Sequence, residues 1–556
     1  MYDLASPTQP LKCERLKRLF RSRAKPITSK HIMPEHPCIR LLKSFFRRSC
    51  GFWFVLFVQL GYAQVPVDWP TKGWQTSTPE AQGMDSAVLA NLYEYLATLG
   101  FNTDSVLVIR HGRIVSETYV APFSVELRHD LRSVTKSVVA TLVGVAVQEG
   151  KIASLDQKVL SFFPDRHANG PLQEMVTVRH LLDMASGIQW QEHPYNEQSD
   201  ALKLWKSPDW VKFILDRQVI VAPGKKFQYI AAAPHLLSVI LTRSTGANAA
   251  EYARQGLFKT LGISDFAWSA DPQGHTVGES SLRLMPRDMA KLGLLYARRG
   301  RWEERQLLPP DWTDAVFAGG LPNGNNPLRV PPTYSRLWWT DAAVPYAAAN
   351  GRHGQHVIVL PEQDIVLVVT SKTADTSRSS SPVDMVKKYL LPAIKSDTAL
   401  PEDATGRAKL AQAARRLDTV GKYESQQPTT QANAMSKRTF VLDPNAWRLR
   451  EFALELSLPN PRYRLEQAAK TEPFWNWSLG GAIGLQGDYV VSQRMFGRPW
   501  ASRGRWINGN TFRAETQELE SSIVTEWTAE FGDNELELSY VDGDGNAIKI
   551  RGTPKE

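Results

Sequence analysis

LRSVTKSVVATLVGVAVQEG, residues 131–150, places a serine and a lysine one helical turn apart at the head of a long uncharged run. After Lys136 no charged residue appears before Glu149, and Val138, Val139, Leu142, Val143, Ala146 and Val147 make the predicted helix apolar on most sides, as a core helix is. Positions i and i+3 share a helix face, so the Lys136 amine can reach the Ser133 hydroxyl. Burial disfavours a charged amine, and the surroundings predict a lowered pKa for Lys136, which then helps take the serine proton as the hydroxyl attacks a carbonyl. The helix N-terminus adds partial positive charge and unpaired N–H groups where an oxyanion forms. A blander reading makes Ser133 a helix cap and Lys136 a surface side chain lying along the helix.

Outward from this stretch, SVLVIRHGRIVSETY at 105–119 reads as two strands around a His-Gly turn. TVRHLLDMASGIQW at 177–190 predicts a short helix stopped by Gly187, and 208–218 has helical periodicity. PGKKFQY at 223–229 is a loop feeding a helix that ends at Gly246, and 282–300 is an amphipathic helix opened by Pro286 and Asp288. HVIVLPEQDIVLVVTS at 356–371 gives two strands with a turn at 361–364, and 382–394 is helical. Strands at both ends with helices between predict an α+β fold with an antiparallel sheet.

Residues 396–437 are rich in Ala, Gln, Thr and Asp, contain one helix at 402–417, and read as a connector. From 438 to 556 alternating runs are separated by Asn-Gly, Gly-Asp and Asp-Gly turns, which predicts a small β-sandwich or barrel. No catalytic cluster stands out there, and its tryptophans read as core.

With 556 residues, 42% hydrophobic and 22% charged, the chain can bury a large core and is expected to hold more than one domain. Its formal charge of +9 lies in the leader, where residues 1–63 hold twelve Lys/Arg and three Asp/Glu. The body is formally neutral, which argues against nucleic acid as a partner. Arg47 and Arg48 precede an apolar segment, Gly51 to Leu60, and small residues at Gly61 and Ala63. This reads as a secretory signal cleaved after Ala63, too short to leave a stable membrane span, and it predicts a secreted or periplasmic protein. A start at Met33 would make it a more ordinary signal. If the leader is retained, membrane tethering is the alternative. All three cysteines, Cys13, Cys38 and Cys50, precede the cleavage point, so the mature chain has neither disulfides nor thiolate metal ligands.

Several stretches in order, RHGRIVSETY, the Ser133 helix, TVRHLLDMASGIQW, PGKKFQYIAAAPHLLSVIL, LRLMPRDMAKLGLLYARRG and GRHGQHVIVLPEQDIVLVV, resemble the serine hydrolases related to class C β-lactamases. That penicillin-recognising group includes esterases, D-amino-acid peptidases and 6-aminohexanoate-dimer hydrolases. The resemblance runs from about residue 80 to about 394 and implies a β-lactamase/transpeptidase-like fold, an antiparallel sheet flanked by a helical region, followed by the small all-β C-terminal domain. The expected organisation is a leader at 1–63, a hydrolase domain at 64–395, the connector at 396–437 and the β domain at 438–556.

The resemblance makes Ser133 the acylated nucleophile and Lys136 its proton partner. It likens Tyr229 to the tyrosine of the family's Y-x-N motif, where a phenol beside an ammonium serves as general base; a tyrosine packing before a helix is the plainer reading of Tyr229. Two departures stand out. Ala231 occupies the usual asparagine position, and Ala349, Asn350 and Gly351 stand where β-lactamases carry K-T-G, so efficient β-lactam hydrolysis is not expected. Gly351 lets the strand edge approach closely, and the backbone N–H groups of Ser133 and Arg352 are the candidate oxyanion hole.

His180, His235, His353 and His356 are scattered without H-E-x-x-H spacing, so no metal is expected, and His111 reads as a turn residue. His353 is a candidate pocket residue beside the strand edge. Trp190, Trp338 and Trp339 are candidates for an apolar acyl pocket, with core packing the equal alternative. Glu192 and Glu197 read as loop acids that meet either a substrate amine or solvent. No G-x-S-x-G elbow surrounds Ser133, which favours the amidase-like members over a lipase. The expected function is cleavage of a small ester or amide through an acyl-enzyme, without cofactor. The alternative is a penicillin-binding-like sensor or scaffold that acylates without turnover or no longer reacts. The sequence assigns no oligomeric state.

Overall fold

The computed structural model describes residues 69–556 except 99–100, 194–196, 326–328, 374–378, 419–423, 457–458, 468–478, 486, 496–497, 522–523 and 542–546. The leader, its apolar segment and the expected cleavage point lie outside the described residues. Pro66–Glu556 forms one compact unit.

The hairpin read around His111 forms as Thr103–Arg110 and Arg113–Tyr119. His111 and Gly112 both take positive φ, 51° and 75°, the twist that a two-residue hairpin turn requires. These strands belong to an eight-stranded sheet in the order Arg113–Tyr119, Thr103–Arg110, Ile365–Ser371, Gln355–Leu360, Tyr346–Gly351, Trp338–Asp341, Thr333–Ser335, Leu321–Pro322. Every adjacent pair is antiparallel.

Both sheet faces are covered, which is why its central strands read as continuous apolar runs and not as alternations. Val106, Val108, Ile358 and Leu367 pack on one face against the Ser86–Leu96 helix and the helix Ala404–Leu417. Leu107, Ile109, Val357 and Val366 pack on the other, against the helices Val134–Gln148, Ala232–Thr245 and Pro286–Ala297. In the Val134–Gln148 helix every residue from Val134 to Ala146 is buried, as the uncharged run after Lys136 predicts.

The helix expected over 177–190 is shorter. It spans Val178–Leu182 and stops because Met184 turns left-handed at φ 53°, while the Asp183 carboxylate takes the Arg336 N–H at 3.0 Å. Gly187 serves a different purpose: it lies so close to the Val221 carbonyl that a Cβ would fall 1.9 Å from that oxygen.

The β-rich region forms one ten-stranded antiparallel sheet in which sequence neighbours are spatial neighbours and the last strand, Ala547–Pro554, pairs with the first, Thr439–Leu442. Its outer strands Leu479–Ala482 and Val490–Met495 meet where the Ala482 N–H donates to Ser492 Oγ at 2.9 Å. The sheet thus curls into a near-closed barrel, the second of the two architectures the turn pattern allowed. Trp500, Trp506 and Trp527 are buried in its core with Phe440, Phe452, Phe512 and Phe531.

Candidate active site

Ser133 sits at the N-cap position of the Val134–Gln148 helix, but its hydroxyl makes no cap hydrogen bond. It accepts instead from Lys136 Nζ at 3.0 Å. Lys136 is 2% exposed, so it does not lie along a solvated surface. Its ammonium also donates to the Glu279 carbonyl at 2.6 Å. Nζ lies 5.2 Å from the Tyr229 ring centroid and 3.9 Å from Glu279 Oε2.

This setting reverses the charge expectation. Burial does work to lower the Lys136 pKa, but Tyr229, Glu279 and Glu192 together outweigh it, and the net shift is upward. Lys136 is therefore held as a cation. Two of those groups are buried carboxylates, at 5% exposure for Glu279 and 9% for Glu192. Glu192 Oε2 accepts from Trp190 Nε1 at 2.7 Å and from the Ala231 N–H at 2.9 Å, so the residue standing in the usual asparagine position reaches a carboxylate through its backbone. Glu279 Oε1 accepts from Trp205 Nε1 at 2.9 Å, and Trp205 is 40% exposed.

The approach to Ser133 is backbone-tight. Arg132 takes a left-handed φ of 49°, with its N–H on Asp130 Oδ1 at 3.0 Å and its Nε 3.2 Å from Asp130 Oδ2. A Cβ on Gly351 would lie 2.4 Å from the Leu131 carbonyl, so the end of the Tyr346–Gly351 strand touches the segment that leads into Ser133. That contact brings the backbone before Arg352 alongside the backbone before Ser133.

Other sequence candidates separate. Trp338 is 2% exposed and packs on Tyr296 at 4.6 Å, so it is a core residue and not a pocket wall. Its neighbour Trp339 stacks on Tyr229 at 5.9 Å, because adjacent strand residues face opposite ways. Trp190 is buried and reaches the site through its bond to Glu192. His353 is buried with Nδ1 2.8 Å from the Thr373 carbonyl, and burial pushes it down to about 4. It anchors the turn after Gly351 as a neutral ring. His356 lies between Asn350 and Ser380, and His235 pairs with Asp271 at 3.1 Å. Glu279 and Trp205 had no signal in the sequence, since a lone acid in a loop and a lone tryptophan in the short helix Asp200–Lys206 carry no spacing.

The Beta-lactamase family matches residues 89–387. A 6-aminohexanoate-dimer hydrolase of Paenarthrobacter ureafaciens is 27% identical over 291 residues, covering 49% of this chain and 73% of that protein. Among solved structures, a Bacillus anthracis protein assigned as a 6-aminohexanoate-dimer hydrolase has a TM-score of 0.48 at 18% identity, covering 59% of this chain and 89% of its own. The octameric penicillin-binding protein homologue of Pyrococcus abyssi has a TM-score of 0.44 at 14% identity, covering 84% and 99%. With the family match spanning more than half of its length, the chain belongs to the beta-lactamase family of serine hydrolases.

Proposed function

We propose that this protein is an exported hydrolase that cleaves a small ester or amide through an acyl-enzyme on Ser133. The observation that carries the reading is the buried Lys136 ammonium, which donates to the Ser133 hydroxyl at 3.0 Å and lies 5.2 Å from the Tyr229 ring centroid. Ser133 Oγ attacks the carbonyl carbon while its proton passes to Lys136 Nζ and a lysine proton moves on to the Tyr229 oxygen. Lys136 stays an ammonium throughout, which suits the carboxylates around it. Collapse of the tetrahedral intermediate breaks the bond to the leaving alcohol or amine, which takes the proton from Tyr229. Water then attacks the acyl-serine by the same relay and releases the acid. The N–H groups of Ser133 and Arg352 receive the oxyanion. The kinship with a 6-aminohexanoate-dimer hydrolase favours the amide class.

Intact mass after incubation with a fluorophosphonate, alongside turnover of a short acyl ester and a short amide, tests this in wild type and Ser133→Ala. A single adduct and turnover, both lost in the variant, are expected. An adduct without turnover would favour the stalled binder, for which the missing side-chain amide at Ala231 is the structural argument. No adduct would overturn the site.

A further inference from the structure

The β barrel adjoins the hydrolase fold beside the chain that leads to Ser133, and the contact is ionic where an apolar seam would have been simpler. On the barrel side, Glu518 and Glu520 are buried at 2% and 8% exposure. Arg128 sends Nε and one terminal nitrogen to Glu520 Oε1 at 3.1 and 2.7 Å and the other to Asp265 at 2.8 Å. Arg498 holds Glu518 Oε1 at 2.6 Å, and the buried Lys372 donates to the Glu518 carbonyl at 3.1 Å and to Gln517 Oε1 at 3.3 Å. A small apolar cluster of Phe123, Ala501 and Leu519 closes the seam.

On the hydrolase side, Arg128 begins the run that reaches Ser133. His129–Asp130 pairs with Arg283–Leu284, and the Leu131 N–H binds the Leu282 carbonyl at 2.9 Å. Asp130 then holds both the N–H and the guanidinium of the left-handed Arg132. Arg283 lies in the field of Asp130 on its own side and of Glu518, Glu520 and Arg498 on the barrel. Charges thus alternate from the barrel glutamates through Arg128 and Arg283 to Asp130 and Arg132, one residue from Ser133.

Buried ion pairs add little net stability over apolar packing, and their best-attested use is to set register. Here the register set is that of the segment entering the helix. We propose that the C-terminal barrel is a working part of the hydrolase site, with Glu520, Glu518 and Arg128 as positioning residues that hold the Arg128–Arg132 segment and so the direction of the Ser133 hydroxyl. This rests on Ser133 being the nucleophile.

The test is charge exchange in the full-length protein: Arg128→Glu, Glu520→Arg and the two together, with Glu520→Gln as the variant that keeps shape. Each is followed by kcat and KM for an acyl ester, the second-order rate of fluorophosphonate labelling, and the melting temperature. Displacements of about 1 Å cost on the order of 100-fold in rate. Each single exchange is expected to lower kcat and the labelling rate roughly 10- to 100-fold with KM within about twofold, Glu520→Gln to lower them in the same sense, and the double exchange to recover most of the loss. Folded Glu520→Gln protein that labels and turns over at the wild-type rate, or a double exchange no faster than the singles, would overturn the proposal. Labelling that survives Ser133→Ala would instead remove the nucleophile assignment on which it rests, whatever the exchanges show.

Discussion

In the proposed relay Lys136 is the residue on which the chemistry turns, and its charge is set by groups far away in the chain. Glu279 supplies both a carbonyl at 2.6 Å and a carboxylate at 3.9 Å. Glu279→Gln keeps the bond from Trp205 but removes one of the charges that raise the Lys136 pKa, so that pKa falls. The ammonium then loses its proton at lower pH, and the alkaline limb of the kcat/KM profile is expected to move to lower pH; an unmoved limb would count against Lys136 as the cation of the relay. Gly351 is constrained by space. Gly351→Ala puts a methyl 2.4 Å from the Leu131 carbonyl, which is backbone and cannot swing aside. The expected outcome is a loss of roughly 100-fold in kcat/KM and of about 1–3 kcal/mol of stability from overpacking, read by ester turnover and urea unfolding. Ser133, Lys136 and Tyr229 could be proposed from the sequence because the first pair is local and the tyrosine belongs to a motif the resemblance supplied. Glu279 was not, because its contact with Lys136 spans 143 positions and leaves no periodicity.

At the scale of elements, the Val134–Gln148 helix is the rigid support of the site. Leu142 is fully buried in the larger core, so Leu142→Ala is expected to cost about 2–5 kcal/mol in denaturant unfolding. A loss below about 1 kcal/mol would show that the helix is less closely packed than the burial implies. This helix could be read from its uncharged run, and the hairpin from His111-Gly112, since both signals are local. The helix at 178 was read too long because its apolar pattern continues past Leu182, whereas the stop at Met184 depends on the Asp183 contact with Arg336, 153 positions away. Trp338 and Trp339 show the same limit within a strand. Which of two adjacent tryptophans enters the core follows from strand register, and a one-residue shift exchanges them.

At the scale of the whole molecule, the barrel and the hydrolase fold share a buried lysine. Burial pushes Lys372 down to about 8 from 10.5, with Asp104 and Glu518 opposing the shift. Below about pH 8 the lysine is protonated in both folded and unfolded chains, and the cost of burying its charge stands in full. Between about 8 and 10.5 the unfolded chain binds more protons than the folded one, so this residue makes stability rise with pH, by up to about 3 kcal/mol. Lys372→Met is expected to remove that rise in urea unfolding followed from pH 7.5 to 10.5; an unchanged pH slope would place the shift elsewhere. The sequence by itself determined the kinds of elements, the serine-lysine pair and the presence of a separate β-rich region, because periodicity, turn chemistry and i, i+3 spacing act over a few residues. Only the tertiary structure decided that Lys136 is held charged, that Trp338 is core while Trp339 meets Tyr229, and that the β region closes on itself and adjoins the segment before Ser133. Each of those depends on electrostatics, register or strand pairing between residues far apart in the chain.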